Sequence, residues 1–283
     1  MVNNFIKAKS LSEALKLMKE KESVIIAGGT DLIVELHQGK KIKERIIDIS
    51  SLEELKDIRE ENGYVVIGAG CTHSEIEKSK IVKEKLPILA KGCSIVGSTT
   101  IRNRGTIGGN VVNSSTCADT VPPLLILDGK VKLQSFQGER VIDLKDFFYN
   151  KGKVNLRNDE IVIEFLVKPM ESDYKWSLVK VGRRKSLSIS RLTLAIAVKE
   201  KDGLIEDLRI CPGAMLPRHG RLWKTEEGFK GKRFNENIIE EIGESASREA
   251  IALSGIRWST EYKEPVLKGL TIRALEELGV QGG

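Results

Sequence analysis

Arg104-Gly105-Thr106-Ile107-Gly108-Gly109-Asn110-Val111-Val112-Asn113-Ser114-Ser115-Thr116-Cys117-Ala118-Asp119 is the stretch on which this chain turns. It carries three glycines, two asparagines and four hydroxyl side chains, with few core-forming residues. Directly behind it, Val121-Pro122-Pro123-Leu124-Leu125-Ile126-Leu127 returns to solid hydrophobic packing. Glycines let a backbone approach a ligand without Cβ interference. Successive exposed N–H groups then form a concave anion site. Asn, Ser and Thr add polar partners, and the Asp119 carboxylate suits a ribose hydroxyl or another polar cofactor edge. Taken alone, the same composition equally describes a glycine-rich surface turn.

A second stretch tips that balance. In Val24-Ile25-Ile26-Ala27-Gly28-Gly29-Thr30-Asp31-Leu32, a β-branched run stops at a glycine pair and an apolar, helix-compatible segment follows. Strand, glycine turn and helix start is a geometry that binds pyrophosphate. The spacing is neither the Rossmann G-x-G-x-x-G nor a Walker A loop. Gly28 and Gly108 stand 80 residues apart, and two such loops in one chain point to a bipartite dinucleotide site.

Ala27-Gly28-Gly29-Thr30-Asp31-Leu32 and Thr106-Ile107-Gly108-Gly109-Asn110, followed by Asp119 and the leucine-rich run, resemble the FAD-binding medium subunit of the molybdenum hydroxylases. That family includes xanthine dehydrogenase, aerobic carbon monoxide dehydrogenase, nicotinate dehydrogenase and 4-hydroxybenzoyl-CoA reductase. The resemblance covers nearly the whole chain. It implies an α+β fold: a two-lobed FAD-binding domain of the vanillyl-alcohol-oxidase/PCMH type over residues 1–170, with subdomains at about 1–52 and 53–170. A small α+β C-terminal domain of the CO-dehydrogenase flavoprotein type follows over 171–283, with a three-stranded antiparallel sheet and helices.

The resemblance also implies site residues. Ala27, Gly28, Gly29, Thr30, Asp31 and Leu32 hold the FAD diphosphate through their backbone. Val96, Gly97 and Ile101 line the approach to the second loop, and Thr106, Gly109, Asn110 and Val112 continue the contact. Asp119 binds the cofactor's polar part, and Lys180 matches a lysine that reaches the flavin ring. A cation there stabilises reduced, anionic flavin; the bland alternative is a surface lysine at a basic strand end. No catalytic side chain is assigned, because FAD carries the redox chemistry. The implied partners are a small iron–sulfur subunit with 2Fe–2S clusters and a large molybdopterin subunit. Electrons then pass from molybdenum through the clusters to FAD, and on to NAD or another acceptor. The substrate, whether purine, CO, nicotinate, aldehyde or aryl-CoA, belongs to another subunit.

Two departures from the family pattern stand out. Thr116 takes a place where Ser-Pro is common, and Ser188-Ile189-Ser190 replaces a more common Asp-Ile-Ala. Neither touches the glycines. A rival reading is a self-contained flavoenzyme resembling the UDP-N-acetylenolpyruvoylglucosamine reductase group, which needs its own acid and substrate-binding residues; no clear set is visible. A third is an assembly subunit that has lost flavin, against which the glycine loops argue.

Composition bounds the rest. A chain of 283 residues has room for two domains and a sizeable core. The net charge of +6 and pI near 9.0 come without an RNA-recognition, zinc-finger or helix-turn-helix signature. No apolar run approaches the roughly 20 residues needed to span a bilayer. The first residues lack signal-peptide character, so the expected location is cytoplasmic. Cys71, Cys93, Cys117 and Cys211 are far apart, with no metal-binding spacing.

Along the chain, Ser10-x-x-Glu13 and Thr72-x-x-Glu75 are capping boxes that predict helix starts. Residues 23–27, 45–49 and 64–69 have the pattern of strands, and 51–59 that of a helix. His73 is expected as a surface residue at a helix entry, and His37 and His219 are isolated. Arg102 and Arg104 flank the second loop, facing either phosphates or solvent. Residues 131–133, 140–142 and 161–165 predict an antiparallel sheet. Beyond 170, strands are expected at 176–181, 192–198 and 204–211, a helix at 237–253, and a last helix starting at Pro265. The basic cluster Lys180, Arg183, Arg184, Lys185 and Arg191 is a candidate for a partner interface or a phosphate-bearing acceptor.

Overall fold

A computed structural model describes residues 4–39, 45–150, 152–182, 184 and 189–279. The chain forms two compact units: Met1–Ser115 with Asp128–Pro169, and Thr116–Leu127 with Met170–Gly283. Arg183 and Lys185 of the basic cluster, and Ser188, lie outside the described residues.

The first unit contains two principal sheets. One is parallel, in the order Phe5–Lys7, Arg45–Asp48, Ser23–Ile26. Helix Leu11–Glu20 makes the crossover, and its buried Ala14, Leu15 and Met18 share a core with Ile47, Leu52 and Leu55. Ser10 caps it by accepting the Glu13 N–H at 3.1 Å, while Glu13 reaches the Lys9 N–H rather than that of Ser10. The other sheet is antiparallel, in the order Ile58–Glu61, Tyr64–Gly68, Ile161–Val167, Lys130–Ser135, Gly138–Asp143. Short helices occupy the segment between strands Tyr64–Gly68 and Lys130–Ser135, among them His73–Lys78, Pro87–Ser94, Thr99–Arg102 and Ile107–Asn113.

The helix expected over 51–59 is not formed. A single 3-10 turn spans Glu53–Leu55, and Ile58–Glu61 is a strand. Asn62 and Gly63 both have positive φ (50° and 77°), the two-residue turn that joins this strand to Tyr64–Gly68. Asn-Gly is a strong hairpin signal because both positions need left-handed backbone, and it overrides the helical spacing of Leu52 and Leu55.

The second unit is built on an antiparallel sheet, Tyr174–Gly182, Ser190–Lys201, Leu204–Gly213. Leu192, Leu194, Ile196 and Val198 alternate along the central strand and are almost fully buried with Ile239, Ile242, Leu267 and Leu275 of the helices Glu236–Ser254 and Thr260–Gly279. Thr193, Ala195 and Ala197 point to the other face and are equally buried. Helix Val121–Ile126 covers that face, and this accounts for the excursion of 116–127 into the unit. The Arg209 guanidinium donates to the Ile126 carbonyl at 2.6 Å, and the Ala214 N–H donates to Thr116 O at 2.6 Å.

The final helix begins at Thr260, so Pro265 lies inside it rather than at its start. There it cannot donate to the Glu261 carbonyl four residues back, and its ring crowds that oxygen. Among the described residues no helix is long and apolar enough to cross a membrane.

Arg221 and Glu226 form an ion pair almost wholly inside the second unit, with side chains 6% and 3% exposed. Glu226 accepts from Arg221 Nη2 at 2.8 Å and from the Ile210 N–H at 2.7 Å. Burial pushes the Glu226 carboxyl upward, and the guanidinium pulls it part of the way back. Arg221→Ala strands a buried acid and is expected to cost about 3–5 kcal/mol, measured as the shift in urea unfolding.

Candidate functional site

The parallel sheet of the first unit ends in the turn Ala27–Thr30, at the carboxyl edge of strand Ser23–Ile26. Ligands of open α/β sheets gather at that edge. Gly29 has φ +74°, a backbone region that favours glycine. Among the described residues, the N–H groups of Gly28, Gly29, Thr30 and Asp31 donate to no protein acceptor. Asp31 occupies the cap position of helix Leu32–His37 without forming a side-chain cap. A run of unused, half-exposed backbone donors with little side-chain bulk is the chemistry a diphosphate requires.

Gly28 also brings the second motif in. A Cβ at Gly28 would overlap the carbonyl oxygen of Arg104 and touch Gly105, so only glycine permits this approach. Gly105 in turn leaves Thr30 Oγ1 3.5 Å from where its own Cβ would stand. Residues separated widely in sequence thereby share one small backbone surface.

The second motif behaves differently from the first. Its donors are consumed internally: Ile107 N–H on Cys71 O, Gly108 N–H on Ala69 O, Gly109 N–H on Thr106 Oγ1 and Asn110 N–H on Thr106 O, all at 2.9–3.1 Å. The expectation of an open row of N–H groups in this stretch therefore does not hold for residues 107–110. Instead its glycines permit contact. A Cβ on Gly108 would stand 2.7 Å from Ala69 O, whereas one on Gly109 would meet only Thr106 Oγ1, at 3.0 Å. Gly109 is exposed, Asn110 and Val112 are half-buried and Thr106 is buried. Val96 is buried, Ile101 is exposed, and Gly97, with φ +41°, packs on the Ile101 side chain.

His73 corrects the expectation of a surface histidine. It is 2% exposed, and its N–H donates to the Gly105 carbonyl at 3.0 Å. Its Nδ1 has no hydrogen-bond partner. Burial, reinforced by the Arg102 charge, lowers its pKa from 6.5 to about 4. Arg102 itself faces neither bulk solvent nor an open phosphate site: it pairs with Glu77 at 3.3 Å and donates to the Val96 carbonyl. Arg104 is exposed.

Asp119 and Lys180 belong to the second unit, and the structure brings them together. Lys180 Nζ lies 2.6 Å from Asp119 Oδ2, and Asp119 Oδ1 accepts from Ser190 Oγ at 2.6 Å and Thr193 Oγ1 at 2.9 Å. Asp119 is 5% exposed, so it spends its acceptors on this chain's own donors. Sequence reasoning noted Ser190 only within a departure from the family pattern, expected His73 at the surface and did not single out Thr193. The Thr72 capping box placed His73 on the first helical turn, but burial depends on packing that no local pattern carries. Of the remaining basic cluster, Arg184 is exposed and Arg191 lies over the Tyr262 ring at 5.2 Å. Among the described residues no group of three His, Cys, Asp or Glu side chains could hold a metal ion.

A parallel three-stranded sheet ends in unused backbone donors and an antiparallel five-stranded sheet follows it, an arrangement whose first edge suits an anionic ligand. A family model described as the FAD binding domain in molybdopterin dehydrogenase matches residues 1–167, and one described as the CO dehydrogenase flavoprotein C-terminal domain matches 177–278. The chain is 33% identical to the nicotinate dehydrogenase FAD-subunit of Eubacterium barkeri, over 99% of this chain and 97% of that one. It is 29% identical to the xanthine dehydrogenase FAD-binding subunit of Escherichia coli O157:H7, again over 99% and 97%. The solved carbon monoxide dehydrogenase from Hydrogenophaga pseudoflava superposes with a TM-score of 0.90 at 25% identity, covering 97% of this chain and 96% of that chain. The chain belongs to the FAD-binding medium subunits of the molybdenum hydroxylase family.

Neighbouring glycines differ in what a side chain would meet: Gly108 is packed on Ala69, and Gly109 is open. Gly108→Ala is expected to cost about 1–3 kcal/mol of stability through its clash with Ala69. Gly109→Val is expected to stay within about 1 kcal/mol of the parent yet lose bound FAD. Urea unfolding and flavin content, measured on both variants, check the pair.

His73 gives a pH dependence. Its folded pKa is depressed, so its contribution is complete above about 6.5 and declines as pH falls toward 4, where the unfolded chain binds the proton more readily. Between pH 6.5 and 4.5 the loss is expected to be about 2–3 kcal/mol. Urea unfolding of His73→Gln should lack that part of the decline.

Proposed function

We propose that this chain is the electron-transfer subunit of a molybdopterin-containing hydroxylase or dehydrogenase. It receives electrons from iron–sulfur clusters on a small partner subunit and passes them to NAD or another acceptor. A large molybdopterin subunit carries the substrate site. The observation that carries the reading is the run of unused N–H groups at Gly28–Asp31, set against the Gly105 turn. It suits a diphosphate, and the nicotinate and xanthine dehydrogenase relatives are FAD-binding subunits. FAD, when bound, supplies the redox chemistry.

The chain's own residues bind and tune. Ala27, Gly28, Gly29, Thr30, Asp31 and Leu32 offer their backbone to the diphosphate. Thr106 holds the Gly109 turn in shape through its hydroxyl. Val96, Gly97, Ile101, Gly109, Asn110 and Val112 supply the remaining cofactor contacts of the first unit. In the second unit, Lys180 contributes a cation, with Asp119 as its counter-ion. Such a cation favours the anionic, reduced form of a bound flavin.

Acid denaturation of the purified protein is expected to release FAD unmodified, read by absorbance and chromatography. The isolated subunit should oxidise NADH with an artificial dye. It should turn over purines, aldehydes or CoA thioesters only when iron–sulfur and molybdenum subunits are added. Turnover of such a substrate by this chain alone would favour a self-contained flavoenzyme.

A further inference from the structure

We propose that His73 is a further residue of the diphosphate site: it takes up a proton when the anion settles on the Gly28–Asp31 turn, so that binding tightens in mild acid. The inference rests on the reading of that turn as the place of the diphosphate.

The contacts that carry it lie within the first unit. Gly105 is buried between the turn and the imidazole. Its Cα stands 3.0 Å from where a Cβ of Gly28 would be. Its own Cβ position is 3.3 Å from His73 Cδ2 and 3.5 Å from Thr30 Oγ1. The ring and the turn therefore rest on the same residue, one that has no side chain to separate them. The His73 backbone N–H, on the Gly105 carbonyl, and the Thr72 cap of the helix hold the ring there.

No protein group takes the buried Nδ1. A carboxylate partner would fix the ring's charge state; without one, burial and the surrounding charges decide it. Arg102 on helix Thr99–Arg102 adds a positive charge that opposes protonation. On the ring's own helix, Glu75 is engaged in the Thr72 capping box and Glu77 is paired with Arg102. Helix Pro87–Ser94 carries the exposed Lys91 and the thiol of Cys93, which burial keeps neutral. Helix Lys80–Lys85 carries Lys80, Lys83 and Glu84, all exposed. The Cys71 thiol is pushed up to about 12 by burial, and Arg104 is exposed. Across Gly105, the Asp31 carboxyl is raised by burial and by the Glu35 charge. A diphosphate on the turn brings negative charge to this neighbourhood and favours the imidazolium.

In the unliganded protein the His73 pKa is about 4. A neighbouring anion raises it, so between the two values the complex holds a proton that the unliganded protein does not. Affinity then rises as pH falls through that range. An upward move of about 1.5 pH units makes binding about fourfold tighter at pH 5 than at pH 7.

The test uses the apoprotein between pH 7 and pH 5 with FAD and ADP-ribose as probes. Both carry a doubly esterified diphosphate, whose charge is constant over that range. With three histidines in the chain, the ring nitrogens of His73 are assignable by NMR after labelling with 15N-histidine. At pH 5 the ring should be neutral in the apoprotein and more than half protonated in either complex. Kd, from calorimetry, should fall about fourfold from pH 7 to pH 5 in the parent and in Asp31→Asn, and stay level in His73→Gln. A ring that stays neutral in the complexes, or a pH slope that survives in His73→Gln, would overturn the proposal and leave His73 as a support for Gly105 only. Should His73→Gln fail to fold, the ring nitrogens of the parent protein decide alone. Binding of ADP-ribose without FAD would defeat the flavin reading and leave the His73 linkage to be read on ADP-ribose. Binding of neither would defeat both.

Discussion

The approach of Gly28 to the Arg104 carbonyl is the constraint on which the candidate site depends. No side chain fits between these two backbones. Because they meet, the turn after the parallel sheet and the segment leading into helix Ile107–Asn113 form one surface. His73 backs that surface through its backbone bond to Gly105, and pays for its position with a buried, unpartnered Nδ1. The site in this unit is therefore made of main chain, where geometry depends on the fold and hardly at all on rotamers.

The two glycine motifs divide the labour within that surface. The first keeps its N–H groups unused and supplies donors. The second spends its N–H groups on Ala69, Cys71 and Thr106, and supplies close packing and an open face at Gly109. Similar composition thus serves two ends. The difference follows from what lies opposite: residues 69–72 pair with the second motif, while nothing in the described protein caps the first.

The second unit works through side chains. Its sheet is covered on both faces, by helices Glu236–Ser254 and Thr260–Gly279 on one and by Val121–Ile126 on the other. Asp119 precedes that short helix and is thereby delivered to the sheet, where Lys180, Ser190 and Thr193 surround its carboxylate. A leucine-rich run that follows a glycine loop in sequence is thus core for the unit that comes later in the chain.

Sequence alone determined the elements whose signals are local. The glycine turns, the Thr72 capping box, the strands of alternating or β-branched residues and the amphipathic helix after Asn235 all follow from dihedral preference and periodicity. The Asn62-Gly63 turn was equally local, and the helical spacing of Leu52 and Leu55 masked it. Tertiary structure decided the rest: which motif keeps its donors, that His73 is buried and neutral, and that helix Val121–Ile126 packs on the second unit's sheet. It also decided that a one-residue bulge at Arg191 brings two hydroxyls onto Asp119. The physical reason is common to these cases. Burial and hydrogen-bond satisfaction depend on partners distant in the chain, and a local pattern carries no information about who those partners are.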